Sequence, residues 1–216
     1  MLFVSLRTSV VTSLILAIAI CLFPGTVAAQ GKTQKISKNL VKRAEEMVKE
    51  IEKSKKQVNK TVGKYDSIFG KNKVKDRQKE YKNLSKELKK TEDRVKEVRK
   101  RANNMQKEAD KFFSEWSKGL TKIKDQQLRG LSHENMIESR DRYGQVIESG
   151  LRAGGLYESF VTDLTNQCRY LELDMSDPAM AKLKPNRDET KAKSKALFQS
   201  VDELTKAAKG YISTMK

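Results

Sequence analysis

The sequence predicts an all-α protein, an elongated antiparallel coiled coil or helical bundle of about four long helices. Three observations support this prediction. The chain of 216 residues is rich in charged residues, at 34%, and poor in aromatic residues, at 6%, a balance that suits long helices better than a sheet. Its three prolines are Pro24, Pro178 and Pro185, so the stretch 25–177 lacks the residue that most often ends a helix. A heptad spacing of apolar residues then recurs along the chain.

The second predicted helix has the longest heptad pattern. Its positions step alternately by three and four residues, and only Arg77 among them is charged. This is the spacing of the a and d positions that meet in a coiled coil, and it predicts one helix from about Val74 to Ile123, roughly 75 Å long. The pattern comprises Val74, Arg77, Tyr81, Leu84, Leu88, Thr91, Val95, Val98, Ala102, Met105, Ala109, Phe112 and Trp116.

Shorter patterns with the same spacing predict a first helix before this one and a third helix after it. A turn is expected over 66–73, which contains Gly70, and the third helix is expected to follow a loop around Gly130 and Ser132. The first pattern comprises Leu40, Ala44, Met47, Ile51, Val58 and Tyr65. The third comprises Met136, Arg140, Tyr143, Ile147, Gly150, Gly154, Tyr157, Val161, Leu164, Cys168 and Leu171.

The last part of the chain predicts a short helix and a fourth long one. Ser176 and Asp177 precede Pro178, the order of an N-cap followed by proline in a first helical turn. The short helix is expected to end near Pro185, and the fourth pattern comprises Leu197, Val201, Leu204, Ala208, Tyr211 and Met215. Short connections favour antiparallel neighbours. We therefore expect the first helix along the N-terminal half of the second, the third along its C-terminal half, and the fourth returning along the third.

Residues 1–29 have the features of a secretory signal peptide. Arg7 supplies the positive start, residues 10–23 form an apolar core, and Val27, Ala28 and Ala29 form a cleavage site of small residues. The sequence therefore predicts an exported protein of the periplasm or cell envelope that begins at Gln30. The alternative is an uncleaved membrane anchor, because residues 9–29 have about the length of a membrane span.

The rest of the chain divides by charge into a basic helical hairpin, 30–124, and a neutral helical half, 125–216, expected to pack on the end of the second helix. Residues 31–124 contain 30 basic and 14 acidic residues, a net charge of +16, whereas residues 125–216 contain 14 of each. A field of this kind attracts anionic polymers and anionic membrane surfaces.

This charge distribution suggests a non-enzymatic scaffold or spacer of the cell envelope whose basic half contacts an anionic membrane surface or cell-wall polymer. The alternative is a nucleic-acid-binding helical protein, because the same side chains would neutralise phosphates. Assembly into a homo-oligomer is compatible with either. The candidate anion-contacting residues are Lys53, Lys55, Lys56, Lys60, Lys86, Lys89, Lys90, Arg99, Lys100 and Arg101.

No catalytic residue, cofactor site or metal site is predicted. Gly63 and Gly70 lack the spacing and the following residues of a phosphate-binding loop. His133 is the single histidine and has no cysteine partner at metal-ligand spacing. Cys168 lies on an apolar pattern, which favours a buried thiol over the alternative of an intermolecular disulfide.

Two features of the predicted core leave alternatives open. Gly150 and Gly154 either let another helix approach closely or simply weaken the third helix. Phe112, Phe113 and Trp116 are expected to pack in the core, with a ligand platform as the alternative.

The segment Phe112-Phe113-Ser114-Glu115-Trp116, followed by Arg142-Tyr143 and the region 171–183, resembles an uncharacterised bacterial family of exported helical proteins, the domain of unknown function 2959. The resemblance covers most of the chain after the leader and implies a helical exported protein of similar length. Members often have a lipoprotein cysteine, whereas here Ile20 precedes Cys21 in place of a small residue. Some members have been labelled DNA repair ATPases, a label that the lack of a phosphate loop does not support.

Overall fold

The protein is an all-α bundle, as the sequence predicts. The structure, a computed structural model, describes residues 27–216, with side chains from residue 33 onward. In that range the chain forms four helices: α1 (Val27–Phe69), α2 (Val74–Leu120), α3 (Gln126–Leu173) and α4 (Asp177–Met215). The predicted start and end of the second helix agree with α2 to within three residues.

The four helices lie side by side in the order α1, α2, α3, α4 and back to α1, each antiparallel to its two neighbours. Ion pairs along α1 and α4 show the opposite directions: Lys55 meets Asp202, and Glu45 meets Lys216 at 2.8 Å. The diagonal pairs, α1 with α3 and α2 with α4, make no close backbone approach in the described range. The packing of α1 on α2 is the most extensive of the four interfaces, and that of α2 on α3 is the least extensive.

This arrangement corrects the predicted packing. The neutral half does not sit on the end of the second helix, because α3 and α4 run alongside α1 and α2 over their whole length. Arg101 and Glu46, near the middle of α2 and of α1, are 3.2 Å apart, and Lys64 near the end of α1 approaches Glu80 near the start of α2 at 3.6 Å. The reason is helix length: α1 has 43 residues and α2 has 47, so full-length pairing covers the apolar pattern of both.

The apolar core forms two clusters, one toward each end of the bundle. The first joins the start of α1 and the end of α4 to Met105–Leu120 of α2 and Met136–Ala153 of α3. The second joins the end of α1 to the start of α2, the end of α3 and the first half of α4. Phe112 and Trp116 belong to the first cluster, where their rings are 5.3 Å apart, so core packing accounts for them.

The start of α3 also differs from the prediction. No loop occurs around Gly130 and Ser132, because α3 begins at Gln126 and includes both residues. Asp125 is the N-cap, and its side chain accepts a hydrogen bond from the amide of Leu128 at 2.9 Å. A cap of this kind stabilises a helix by about 1 kcal/mol, enough to offset one exposed glycine in the first turns.

The predicted break at Pro185 is absent, because α4 is a single helix in which Pro185 is an interior residue. A proline leaves the carbonyl four residues before it without its helical hydrogen bond, here that of Ala181. Ala181 and Pro185 are both exposed, so water can reach this carbonyl. The helix therefore continues to Met215, and its later apolar residues pack on α1 and α3.

A buried polar contact crosses the bundle near the α1–α2 turn. The hydroxyl of Tyr65 donates to the side-chain oxygen of Gln167, and the Gln167 amide donates to the hydroxyl of Thr190 at 2.7 Å. All three residues are buried. These hydrogen bonds fix the relative positions of α1, α3 and α4, because sliding one helix along the bundle axis would leave its buried polar group without a partner.

The predicted signal peptide lies almost entirely outside the described residues, since only its last three residues, 27–29, form the start of α1. Within residues 27–216, no helix is both long enough and apolar enough to span a membrane.

Candidate functional site

The outer side of α1 is a row of lysines. Seven exposed lysines recur at spacings of three, four or seven residues, which places them on one side of a helix: Lys35, Lys38, Lys42, Lys49, Lys53, Lys56 and Lys60. They span about 38 Å of helix. Lys53 and Lys60 approach carboxylates, Glu50 at 3.2 Å and Glu87 at 3.4 Å. The other five form no ion pair with any described residue.

The outer side of α2 continues this row on the neighbouring helix. Its exposed lysines include Lys75, Lys79, Lys82, Lys86, Lys89, Lys96 and Lys100. Among these, Lys96 pairs with Asp93 at 3.4 Å and Lys100 approaches Glu97 at 3.8 Å. Packed helices lie about 8–10 Å apart, so the two rows form one surface, which we call the basic face.

Four acidic residues of this half, among them Glu50 and Glu87, form ion pairs across the groove between α1 and α2. Glu87 accepts hydrogen bonds from Gln57 at 2.8 Å and Lys90 at 2.9 Å, which lower its pKa to about 2. Burial by itself would raise the pKa of Glu50, but hydrogen bonds from Lys53 and Arg94 outweigh it and hold the pKa below its usual value. The helices thus hold these carboxylates at their shared interface, and the outer surface keeps an excess of positive charge.

Seven of the ten candidate anion-contacting residues lie on this face: Lys53, Lys56, Lys60, Lys86, Lys89, Lys90 and Lys100. The other three turn to neighbouring helices and are not part of it. Lys55 binds Asp202 of α4, Arg99 pairs with Glu158 of α3, and Arg101 reaches Glu46 in the α1–α2 groove. Lys55 and Arg99 lie on the sides of α1 and α2 that face α4 and α3, and Arg101 lies in the α1–α2 groove, which is the reason to remove them from the candidate set.

The sequence reasoning missed several members of the basic face, among them Lys35, Lys38, Lys42 and Lys49. The sequence does contain a pattern that predicts them. Lysines at 35, 42, 49 and 56 repeat every seven residues, on the side of the helix opposite the apolar pattern. The local density of basic residues, by contrast, does not distinguish the outer side of a helix from the sides that face other helices.

The opposite flank, formed by α3 and α4, has no comparable excess of positive charge. Arginines on α3 pair with glutamates one turn away: Arg152 contacts Glu148 at 2.7 Å, and Arg142 contacts Glu138. On α4, Lys193 contacts Glu189 at 2.9 Å and also Asp163 of α3. The net charge of the protein is therefore concentrated on one flank.

The residues considered for chemistry occupy structural positions. His133 is exposed on α3 rather than in a loop, and no group of three or more metal-ligating side chains occurs in the described part of the chain. Cys168 is buried in the second apolar cluster, and burial raises the pKa of its thiol to about 12. This environment is that of an inert packed thiol.

Fold and surface together define a four-helix bundle with one basic flank. The chain belongs to the family described as "Protein of unknown function (DUF2959)", whose model matches residues 29–215. No curated protein and no solved structure matches it.

Proposed function

We propose that this protein is a non-enzymatic helical spacer of the cell envelope that lies with its basic face on an anionic membrane surface. The observation that supports this most is the row on α1, where five of seven exposed lysines lack an ion pair with any described residue. Lysines that form no ion pair are available to external anions, and their summed field acts on any anionic surface nearby.

The shape of the basic face favours a planar partner. Its lysines are spread over about 38 Å along two adjacent antiparallel helices, so several of them can contact a flat surface at the same time. A lysine next to an anionic bilayer contributes about 1 kcal/mol, and the contributions of several add to useful affinity. Such attraction falls off within a Debye length, about 8 Å at physiological salt, so the face must lie on the surface.

The test is co-sedimentation of the purified protein with vesicles. We expect binding to vesicles containing 30–40% phosphatidylglycerol, weaker binding as salt rises from about 50 to 500 mM, and none to pure phosphatidylcholine. Changing Lys38, Lys42, Lys49 and Lys56 together to Gln should weaken binding at least tenfold. The matched control changes four exposed lysines of α4 to Gln, Lys182, Lys184, Lys195 and Lys206, and should bind almost as the unchanged protein does.

Two outcomes overturn the proposal. One is equal loss of binding in the two quadruple variants, which would mean that net charge alone matters. The other is tighter binding to duplex DNA than to the anionic vesicles at the same salt, with a reporter fused after Lys216 found in the cytoplasm. That pair of results would favour the nucleic-acid-binding alternative, in which the same lysines neutralise phosphates.

A further inference from the structure

A cavity of about 550 Å³ lies at mid-length of the bundle, where the two apolar clusters meet, and all four helices line it. Its walls on α3 extend from Val146 to Glu158, which is about 18 Å of helix. Sites for small molecules have volumes of about 300–1,000 Å³, so this cavity is of the size that holds one ligand. Its length along the helices makes it a narrow channel.

Three of the α3 residues that line the cavity have no side chain, which leaves space there. Gly150, Gly154 and Gly155 all line it. A Cβ atom added at Gly154 or Gly155 would meet nothing within 4 Å, and one at Gly150 would meet only the side chain of Leu204, at 3.9 Å. These glycines therefore do not serve a close helix approach, one of the two interpretations that the sequence allowed. Glycine weakens a helix relative to alanine, and no packing contact offsets that here.

One buried polar group in the cavity has no partner. Tyr157 is 8% exposed and lines the cavity, and its hydroxyl forms no hydrogen bond with any described residue. Buried hydroxyls almost always have a partner, so an orphaned one calls for an explanation. Burial and the negative charge of Glu92 raise the pKa of Tyr157, and the positive charge of Arg99 opposes that rise. Tyr157 and Arg99 both line the cavity, so a neutral donor and a cation are present in its wall.

We propose that this cavity binds one long-chain fatty acid, with the carboxylate between Tyr157 and Arg99 and the chain along the bundle axis. The remaining walls are largely apolar, including Val95, Ala102 and Val201. A channel of about 18 Å matches the length of a single acyl chain, which spans half of a hydrocarbon core of about 30 Å. Met47 and Met105, also in the wall, adapt readily to a flexible chain.

The ion pair between Arg99 and Glu158 joins α2 and α3 at the mouth of the cavity. Both side chains are well exposed, at 59% and 65%, so the pair can open at little cost. A fatty-acid carboxylate would replace Glu158 as the partner of Arg99. Glu158 is then a competitor for the ligand, which predicts that removal of the two charges has opposite effects on binding.

The first experiment is calorimetric titration of the purified protein with palmitate, below its aggregation limit and without vesicles. We expect saturable binding of one palmitate per chain. Gly154→Leu fills the cavity and should weaken binding more than tenfold. The matched control is Gly130→Leu, also on α3, where an added Cβ likewise meets nothing within 4 Å but which does not line the cavity. Its binding should equal that of the unchanged protein.

The second experiment tests recognition of the head group. Arg99→Gln and Tyr157→Phe should each weaken palmitate binding about tenfold, as expected for loss of one contact to a charged group. Glu158→Gln should strengthen it, although it breaks the same ion pair as Arg99→Gln. With 1-hexadecanol, which has no charge, Arg99→Gln should have no effect.

Three results would overturn the proposal: no saturable palmitate binding, equal binding by Gly154→Leu and the unchanged protein, or weaker binding in both Arg99→Gln and Glu158→Gln. The last result would show that the Arg99–Glu158 ion pair affects binding only by stabilising the fold, and that Arg99 does not contact the ligand. This proposal can fail independently of the proposed membrane binding by the basic face. The variant in which Lys38, Lys42, Lys49 and Lys56 are changed to Gln should bind palmitate as the unchanged protein does.

Discussion

The guanidinium of Arg77 donates a hydrogen bond to the main-chain carbonyl of Met175, 2.8 Å away, and so joins α2 to the turn between α3 and α4. The same side chain donates to the carbonyl of Lys71 at 2.8 Å, in the α1–α2 turn, and to the carboxylate of Asp177. Arg77 is 6% exposed. The one charged residue in the heptad pattern of α2 is thus the contact that holds two turns together at one end of the bundle.

We expect Arg77→Met to lower the free energy of unfolding by about 2–3 kcal/mol, because the buried Met175 carbonyl loses its donor and both turns lose their link. Urea unfolding followed by circular dichroism at 222 nm measures this. Lys79→Met is the control, since Lys79 lies two residues after Arg77 and is exposed, and its substitution should change stability by less than about 0.5 kcal/mol. An Arg77 variant as stable as this control would contradict the assigned role.

The Tyr65, Gln167 and Thr190 contact predicts strong coupling between α1 and α3. Gln167→Met leaves two buried hydroxyls without their partner and should destabilise the protein by about 2–3 kcal/mol, and Tyr65→Phe by about 1–2 kcal/mol. The double variant should lose at least about 1 kcal/mol less than the sum, since it removes both partners of one bond. Strict additivity in a double-mutant cycle would show that the two side chains do not interact.

Glu87 predicts a loss of stability in acid. Its pKa in the folded protein is about 2, below its ordinary value of 4.5. A group with a depressed folded pKa stabilises the protein at pH values above 4.5, and that stabilisation is lost as the pH falls from 4.5 to about 2. The expected loss is about 2 kcal/mol, because its lysine partners are exposed to solvent.

Urea unfolding at pH 6, 4, 3 and 2 tests this expectation. Glu87→Gln should be less stable than the unchanged protein at pH 6 and should approach it at pH 2. Glu134→Gln, at an exposed position of α3, should follow the pH dependence of the unchanged protein. A Glu87 variant with an undiminished acid dependence would mean that other carboxylates account for it.

Pro185→Ala should stabilise the protein by about 1–3 kcal/mol, because alanine restores the hydrogen bond to the Ala181 carbonyl and favours the helix. The measurement is the midpoint of thermal unfolding. Lys184→Ala, also exposed on α4, controls for the general effect of adding alanine and should change the midpoint little. A lower midpoint for the Pro185 variant would indicate that the rigid ring stabilises the protein through its unfolded state.

The sequence predicts long amphipathic helices well because their apolar repeat is a local property. Leu84, Met105 and Ala109, for example, are buried as the heptad spacing requires. Single glycine and proline residues predict the ends of helices less well. Gly130 and Pro185 predict a loop and a helix end, yet each lies inside a helix, since the cap at Asp125 and the exposure of Pro185 outweigh local propensity.

The cavity and the side-by-side packing could not be read from the sequence because both depend on which helices become neighbours. Gly150 and Gly154 allowed two interpretations, and only the position of α2 relative to α3 shows the empty space beside them. The ion pairs that remove Lys55 and Arg99 from the basic face likewise involve residues about 60 or more positions away along the chain.

The empty space beside Gly154 also bears on how the bundle opens. Helices normally exchange amide hydrogens fastest at their frayed ends and slowest at their centres. In α3 the buried residues of the two apolar clusters lie between Met136 and Leu171, and the central stretch 146–158 also borders the cavity. We therefore expect hydrogen exchange to show an additional fast region around 150–155, between the two apolar clusters, so that the two ends of the bundle open as separate cooperative units.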